Sequence, residues 1–422
     1  MTTAVLFGGF ALLLFLSVPI GIALGLATLA TIMFSGSLPL EFLAKELVTS
    51  VDSFPLMAVP FFILAGEIMG KGGISERLFS VANAMVGNKT GGFAIATIIT
   101  CMFFAAISGS GPATVAAIGG IMIPAMVRQG YDKKFAAAVV AAAGSIGVII
   151  PPSIPMVMYG VTGNVSIGDL FISGIVPGIL VGLAMIVWAW YYSKKMGYKG
   201  LDEKTSFKKI LKASWDAKWA ILIPVIILGG IYGGIFTPTE AAVVAVVYGL
   251  FAATVLYREL KIKDLPKVIY DSALTTATVL IIVGAANAFG RLLTIEQIPN
   301  QIAGWLMSIS TNPTVIILLI TVLLLIVGMF MDTLAAIIIL TPILLPIVVQ
   351  IGYDPVHFGI LMVVNLAIGF FTPPVGVNLF VASGISGVPM EKLSKAVIPF
   401  LVAMLITLLF VTFVPQISLM FL

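Results

Sequence analysis

Apolar runs of about 18 residues or more recur along this sequence from one end to the other. A hydrocarbon core is about 30 Å thick, and a helix rising about 1.5 Å per residue crosses it in about 20 residues. In lipid every backbone amide must be satisfied from within, so such a chain is restricted to helices or a closed barrel. The strand-like alternation that a barrel requires is absent. The charged fraction is 9%, far below the ~25% with which soluble domains wet their surface. The sequence therefore predicts an all-α polytopic membrane protein and excludes a soluble enzyme.

Single spans are expected at 5–34, 52–70, 133–164, 170–193, 218–236, 239–257, 270–291, 355–385 and 395–420. Two longer apolar segments, 91–127 and 313–350, break at a polar midpoint. Their limbs of about 15–19 residues are marginal for a full crossing, so each is read as a re-entrant hairpin, with two spans and a surface loop as the alternative. Met1-Thr2-Thr3 leads into apolar sequence without a basic region, which predicts a retained first span. Walking from a cytoplasmic N-terminus, 22 basic residues fall inside except Lys45 and Arg291. Eight lysines lie between Lys194 and Lys218 alone. This obeys the positive-inside rule and leaves the C-terminus in the periplasm. The net charge of +4 thus reports orientation and not nucleic acid. Segments 74–86 and 296–309 read as amphipathic helices lying in the interface.

A shift of 222 residues superposes two parts of the chain. Pro124 meets Pro346, Gly130-Tyr131-Asp132 meets Gly352-Tyr353-Asp354, Gly147 meets Gly369, Pro151-Pro152 meets Pro373-Pro374, and Pro177 meets Pro399. Upstream, a shift of 220 pairs Gly70-Lys71 with Gly290-Arg291 and Glu76 with Glu296. Chance apolar similarity would favour Leu, Ile and Ala; these matches are prolines and glycines, so backbone architecture is what repeats. An odd number of crossings separates the copies and predicts an inverted repeat. Inverted repeats with broken helices point to secondary transport, with sites near the bilayer midplane.

A proline removes the hydrogen bond of the carbonyl four residues earlier. Pro151 and Pro152 release Gly147 and Val148; Pro373 and Pro374 release Gly369 and Phe370. A cation is one partner for such carbonyls, joined by the Thr372 hydroxyl and Val375; a kink satisfied by a neighbouring Ser or Thr is the other reading. Ser108-Gly109-Ser110-Gly111-Pro112 predicts a capped helix start inside the membrane, and Asp332 occupies the position equivalent to Ser110. A carboxylate at that depth points to function, whether by neutralising a cation or capping the helix. No arginine falls within the repeat cores, so an organic anion would rest on helix N-termini and on Ser108, Ser110, Thr333 and Asn378. Arg291 is a candidate for guiding an anion or holding a partner, and otherwise anchors a helix end. Glu240, after Thr237-Pro238-Thr239, is a gating candidate or a structural cap. Glu67 needs a partner the sequence does not name. Cys101 reads as packing and His357 as a helix-end residue; neither they nor Asp332 make a catalytic or metal cluster.

The motifs Ser108 through Thr114, Gly130-Tyr131-Asp132, Gly147 through Pro152, Phe330-Met331-Asp332, Gly352-Tyr353-Asp354 and Thr372-Pro373-Pro374 resemble the large membrane subunit of tripartite ATP-independent periplasmic (TRAP) transporters. The likeness covers essentially the whole chain and is greatest to the sialic acid branch. It implies sodium-coupled uptake of an organic acid, of the sialic acid or C4-dicarboxylate class, across the inner membrane by an elevator mechanism. It implies Na+ at each hairpin tip and adjoining break: Ser108 with Gly147, Val148 and Pro151, and Gly328 with Gly369, Thr372 and Val375. It implies a small four-helix membrane subunit and a periplasmic binding protein as partners. The expected organisation is scaffold over 1–70, an arm over 71–90, a transport half over 91–165, scaffold over 166–295 with a cytoplasmic loop at 194–218, a second arm over 296–312, a second transport half over 313–388, and a last helix over 389–422. A permease subunit driven by a separate ATPase is the competing reading.

Overall fold

The computed structural model describes residues 2–36, 38–200 and 206–422, and every regular element among them is helical. In chain order the helices are α1 (Thr2–Phe15), α2 (Ile20–Ser35), α3 (Glu41–Thr49), α4 (Ala58–Lys71), α5 (Ile74–Val86), α6 (Gly92–Ser108), α7 (Gly111–Arg128), α8 (Lys133–Gly144), α9 (Ile154–Gly163) and α10 (Ile167–Met196). There follow α11 (Phe207–Asp216), α12 (Lys218–Tyr232), α13 (Pro238–Phe251), α14 (Leu265–Ile295), α15 (Ile298–Ile309), α16 (Pro313–Phe330), α17 (Thr333–Gln350), α18 (Pro355–Gly369), α19 (Val377–Ser386), α20 (Met390–Phe413) and α21 (Gln416–Leu419). Seven of the described helices are long and apolar enough to cross a membrane, or nine if each of two bent pairs counts as one span.

Local chemistry explains the punctuation. In both Gly-Tyr-Asp motifs the glycine takes a left-handed backbone, φ +83° at Gly130 and +87° at Gly352, which a β-carbon would oppose. Two residues on, Asp132 accepts the amides of Lys134 and Phe135 at 2.7 and 3.3 Å, and Asp354 accepts those of Val356 and His357 at 2.8 and 3.0 Å. Each motif thus ends one helix and caps the next. The helices so started, α8 and α18, are buried without interruption from Phe135 to Gly144 and from His357 to Gly369. They form the centre of the molecule, and both give way at the Pro-Pro pairs before resuming as α9 and α19.

The element order of the first half returns in the second: α4 and α14, then α5 and α15, hairpins α6–α7 and α16–α17, broken pairs α8–α9 and α18–α19, and long helices α10 and α20. The counterparts α4 and α14 run antiparallel, since Lys71 meets Asp271 while Ile63 and Thr278 line one cavity. The amphipathic segment expected at 74–86 is helical as α5, turned 67° from the helix before it, and that expected at 296–309 is α15.

One expectation fails. The run 5–34 is not one span. Phe7 and Phe10 pack on Phe289 at 5.9 and 5.8 Å, whereas Gly21 lies against Ile281 and Ile282 and Gly25 against Ala285. So α1 descends beside α14 and α2 climbs back, with the chain reversing at Ser17 (φ +60°) and Pro19. In addition, α3 precedes the span expected at 52–70. Of the loop expected at 194–218, residues 201–205 lie outside the described part.

Candidate functional site

The tip of the first hairpin is made by three residues. Gly109, at φ +59°, closes α6; Ser110 is extended; Gly111 and Pro112 open α7. The Gly109 amide still donates to the Ala105 carbonyl at 3.3 Å and the Ser110 carbonyl accepts the Thr114 amide at 3.1 Å; hydroxyls add further ties. Ser108 Oγ lies 2.9 Å from Thr114 Oγ1, and Thr114 donates to the Ser110 carbonyl at 2.8 Å. This tip seats on the first break. The Ile154 amide donates to the Gly109 carbonyl at 3.3 Å. A β-carbon at Gly147 would lie 2.5 Å from Thr114 Oγ1 and 2.6 Å from the Ser110 oxygen, so only glycine permits the approach. Ser108, Ser110 and Gly147 therefore come together as expected. Thr114 belongs with them, a residue that the sequence showed only inside a motif.

The second tip differs in chemistry. Asp332 Oδ2 accepts the Leu334 amide at 2.9 Å and so caps α17. Gly328 and Gly369 touch so closely that a β-carbon on Gly369 would lie 2.3 Å from the Gly328 carbonyl carbon and oxygen. Thr372 donates its hydroxyl to the Ile368 carbonyl at 2.6 Å. Val375 is 36% exposed, at the open side of the break.

Between the tips lies a cavity of about 550 Å³, within the ~300–1,000 Å³ usual for small-molecule sites. Ser108, Ser110, Asp332 and Thr333 line it together with Val148. Its opposite wall is Glu67 on α4 and Thr275 and Thr278 on α14, which single threonines in an apolar helix did not signal. The N-terminal turns of α7, α9 and α17 all reach it, through Ser110, Ile154 with Pro155, and Thr333 with Leu334. Helix N-termini carry partial positive charge, which favours anions, although here the Ile154 amide is taken by the Gly109 carbonyl and the Leu334 amide by Asp332. The charged residues lining it are Asp332 and Glu67; no Lys or Arg is among the described lining residues. Glu67 has a partner after all, Lys71 one turn away at 3.3 Å, and Lys71 also reaches Asp271 at 3.0 Å. Asp332 lacks such a counterion in the lining.

Three of the four carbonyls expected to be bare are in fact closed. Val148 accepts the Ser153 hydroxyl at 2.6 Å, Gly369 the Thr372 amide at 3.1 Å, and Phe370 the Asn378 amide at 2.8 Å. The breaks thus repair themselves with nearby donors, although each oxygen retains a second lone pair. Asn378 lies outside the cavity lining. Its Nδ2 donates to the Ala141 carbonyl at 3.1 Å, and its side chain packs between Gly111 and Gly144, tying the second break to α8. Arg291 also stays away and pairs with Glu46 of α3, the helix-anchoring alternative. Glu240 closes a capping box with Thr237, accepting its amide at 2.8 Å, so its place is structural. Cys101 is buried, and His357 is buried against Tyr353 with its amide on Asp354, as expected.

Comparisons with known proteins point in one direction. Residues 7–417 match the tripartite ATP-independent periplasmic transporter family, DctM component. The isethionate TRAP transporter permease protein DctMQ of Oleidesulfovibrio alaskensis is 57% identical over 99% of this chain, which spans 66% of that relative's length. The C4-dicarboxylate TRAP transporter large permease protein of Pseudomonas aeruginosa is 44% identical, covering 94% of this chain and 93% of that one. The sialic acid TRAP transporter large permease protein of Vibrio cholerae is 40% identical, covering 97% and 95%. Among solved structures, the YdaH transporter of Alcanivorax borkumensis superposes with a TM-score of 0.64 at 16% identity, over 90% of this chain and 89% of that one. That likeness is one of fold.

Proposed function

From the chain's membership of the DctM family of tripartite ATP-independent periplasmic transporters, we propose that it carries a small organic anion into the cell together with sodium. One observation supports the sodium most. An anion entering the cavity meets Asp332 with no cationic side chain in the lining to offset it, and like charges at close range repel strongly in a low-dielectric site. Sodium travelling as co-substrate removes that repulsion. Its ligands in this reading are Ser108, the Gly147 and Val148 carbonyls and Pro151 on one side, and Gly328, Gly369, Thr372 and Val375 on the other. Hydroxyls and second lone pairs of carbonyls suit such a hard cation. The anion then rests on the three helix N-termini and on Ser110 and Thr333.

The moving part in this proposal is the pair of hairpins with the broken helices, 91–165 and 313–388. It slides as an elevator against α4 and α14, which form the facing wall, while α5 and α15 join the two parts. The small membrane subunit and a periplasmic binding protein complete the tripartite system. Identity favours a compact sulfonate such as isethionate, ahead of C4-dicarboxylates and sialic acid. Keeping the basic loops inside, the extra reversal at Ser17 moves the N-terminus to the periplasmic side, the side also proposed for the C-terminus.

Reconstitution with both partners in proteoliposomes, under an inward sodium gradient and without ATP, tests the reading. Saturable uphill uptake of isethionate that collapses with the gradient is the expected result. Uptake that needs ATP and ignores sodium would overturn it.

A further inference from the structure

Besides the central cavity, a groove of about 760 Å³ runs between α10 and α20. Its walls are apolar side chains left uncovered: Leu183, Val187, Val402, Ile406 and Phe410 are each between 49% and 64% exposed. At one end Trp188 and Pro399 also line a second pocket of about 400 Å³, so the two spaces adjoin. That second pocket holds Lys134, Lys392 and Lys395. Its one acid, Asp132, already accepts two backbone amides, and Lys395 carries only an exposed pairing with Glu391 at 2.9 Å, of a kind that contributes little.

We propose that this groove holds an anionic phospholipid of the inner leaflet, with an acyl chain along α10 and α20 and the headgroup among the three lysines. Three features commit the groove to that occupant. From Pro399 to Phe410 the helix rises about 17 Å, close to the ~15 Å half-thickness of the hydrocarbon core that one acyl chain occupies. The basic pocket sits at the end where a headgroup would lie, on the side assigned to the cytoplasm by the lysine distribution, and basic pockets between helices there suit anionic headgroups. A partner helix, by contrast, would need small residues to approach closely; these walls carry only Ala184, Ala403 and Thr407 of that kind, beside the bulky Trp188, Trp190, Tyr191 and Phe410. Because Lys134 starts α8 and Lys392 and Lys395 start α20, the lipid would bridge the capped end of the first broken helix to the last long one.

Native mass spectrometry of the purified full chain, with whatever subunits accompany it, reads this without transport. Phosphatidylglycerol and phosphatidylcholine of equal chain length are offered at equal concentration, and the wild type is expected to retain the former at least fivefold better. The triple variant K134Q/K392Q/K395Q should lose that preference while still taking lipid, and Lys392→Gln alone should lose part of it if the triple variant is poorly folded. Ala403→Trp, which fills the groove and leaves the lysines, should reduce retention of both lipids. Soluble glycerol phosphate should displace neither. Equal retention of the two lipids by the wild type, an unchanged preference in the lysine variants, displacement by glycerol phosphate, or a photo-crosslink from Val187 to a membrane subunit would each overturn the proposal.

Discussion

The two Pro-Pro breaks share a register, each with a cis Pro-Pro bond, yet they sit in different surroundings. The first is buried throughout, from Gly144 to Gly160, under a tip of hydroxyls: Ser108, Ser110 and Thr114. The second opens outward at Pro374 and Val375, and its hairpin brings a carboxylate, Asp332, where the first has Ser110. The contacts differ as well. Gly147 meets a side chain and a carbonyl of its hairpin; Gly369 meets bare backbone at Gly328. The interrupted helix therefore occurs twice, with different chemistry beside each break. One hairpin brings hydroxyls, the other a carboxylate.

The largest effect that separates the halves is expected from the charge. Asp332→Asn keeps a good helix cap but removes the one uncompensated carboxylate of the cavity. Interactions of charged groups contribute about 1.5–3 kcal/mol, so sodium-driven uptake should fall roughly 10–100-fold with normal insertion. Uptake within twofold of wild type would show that the charge has no part in it. Next come the glycines. Gly369→Ala must push the second tip away along unyielding backbone and should cost about 1–3 kcal/mol of stability. Gly147→Ala meets partly a threonine side chain and should cost less; the reverse order in thermal melts would break the comparison.

A smaller effect is expected at Thr114→Val, which removes two hydrogen bonds of the first tip, each worth about 1 kcal/mol. Half-saturation for sodium should rise about fivefold, with little change in maximal rate. The smallest is Lys71→Gln. Its pairs with Glu67 and Asp271 are 40% exposed on the lysine side, and exposed pairs contribute ~0–1 kcal/mol. The melting temperature should move by no more than about 2–3 °C; a larger drop would mean that the α4–α14 link bears on the whole wall.

Much of this was legible because glycine and proline act locally. The motif Gly130-Tyr131-Asp132 announces a left-handed stop and a cap whatever surrounds it, and so does its copy at Gly352. Lys71 as the partner of Glu67 was also within reach, since residues four apart share a helix face. The N-terminal reversal had a signal too: 5–34 exceeds the ~20 residues of one crossing and contains Pro19. Other features had none. Thr275 and Thr278 become cavity residues only through the way α14 packs, and each also hydrogen-bonds its own helix, at 3.0 Å to Asp271 and Leu274. Three of the carbonyls expected to be bare were closed by Ser153, Thr372 and Asn378, donors whose reach depends on how the chain turns after the prolines. Asn378 left the cavity for the same reason, turned toward Ala141 by that loop.

The central claim is that acid and sodium meet between the two tips. Cys101, the single cysteine, is buried, so Ser110→Cys and Thr278→Cys place a reporter on either wall once Cys101 is replaced by Ser. Labelling by a small charged maleimide should slow at least threefold when sodium and transported acid are added together to the reconstituted complex, at both positions. Labelling that proceeds unchanged at both, in a preparation that still takes up the acid, would contradict the account.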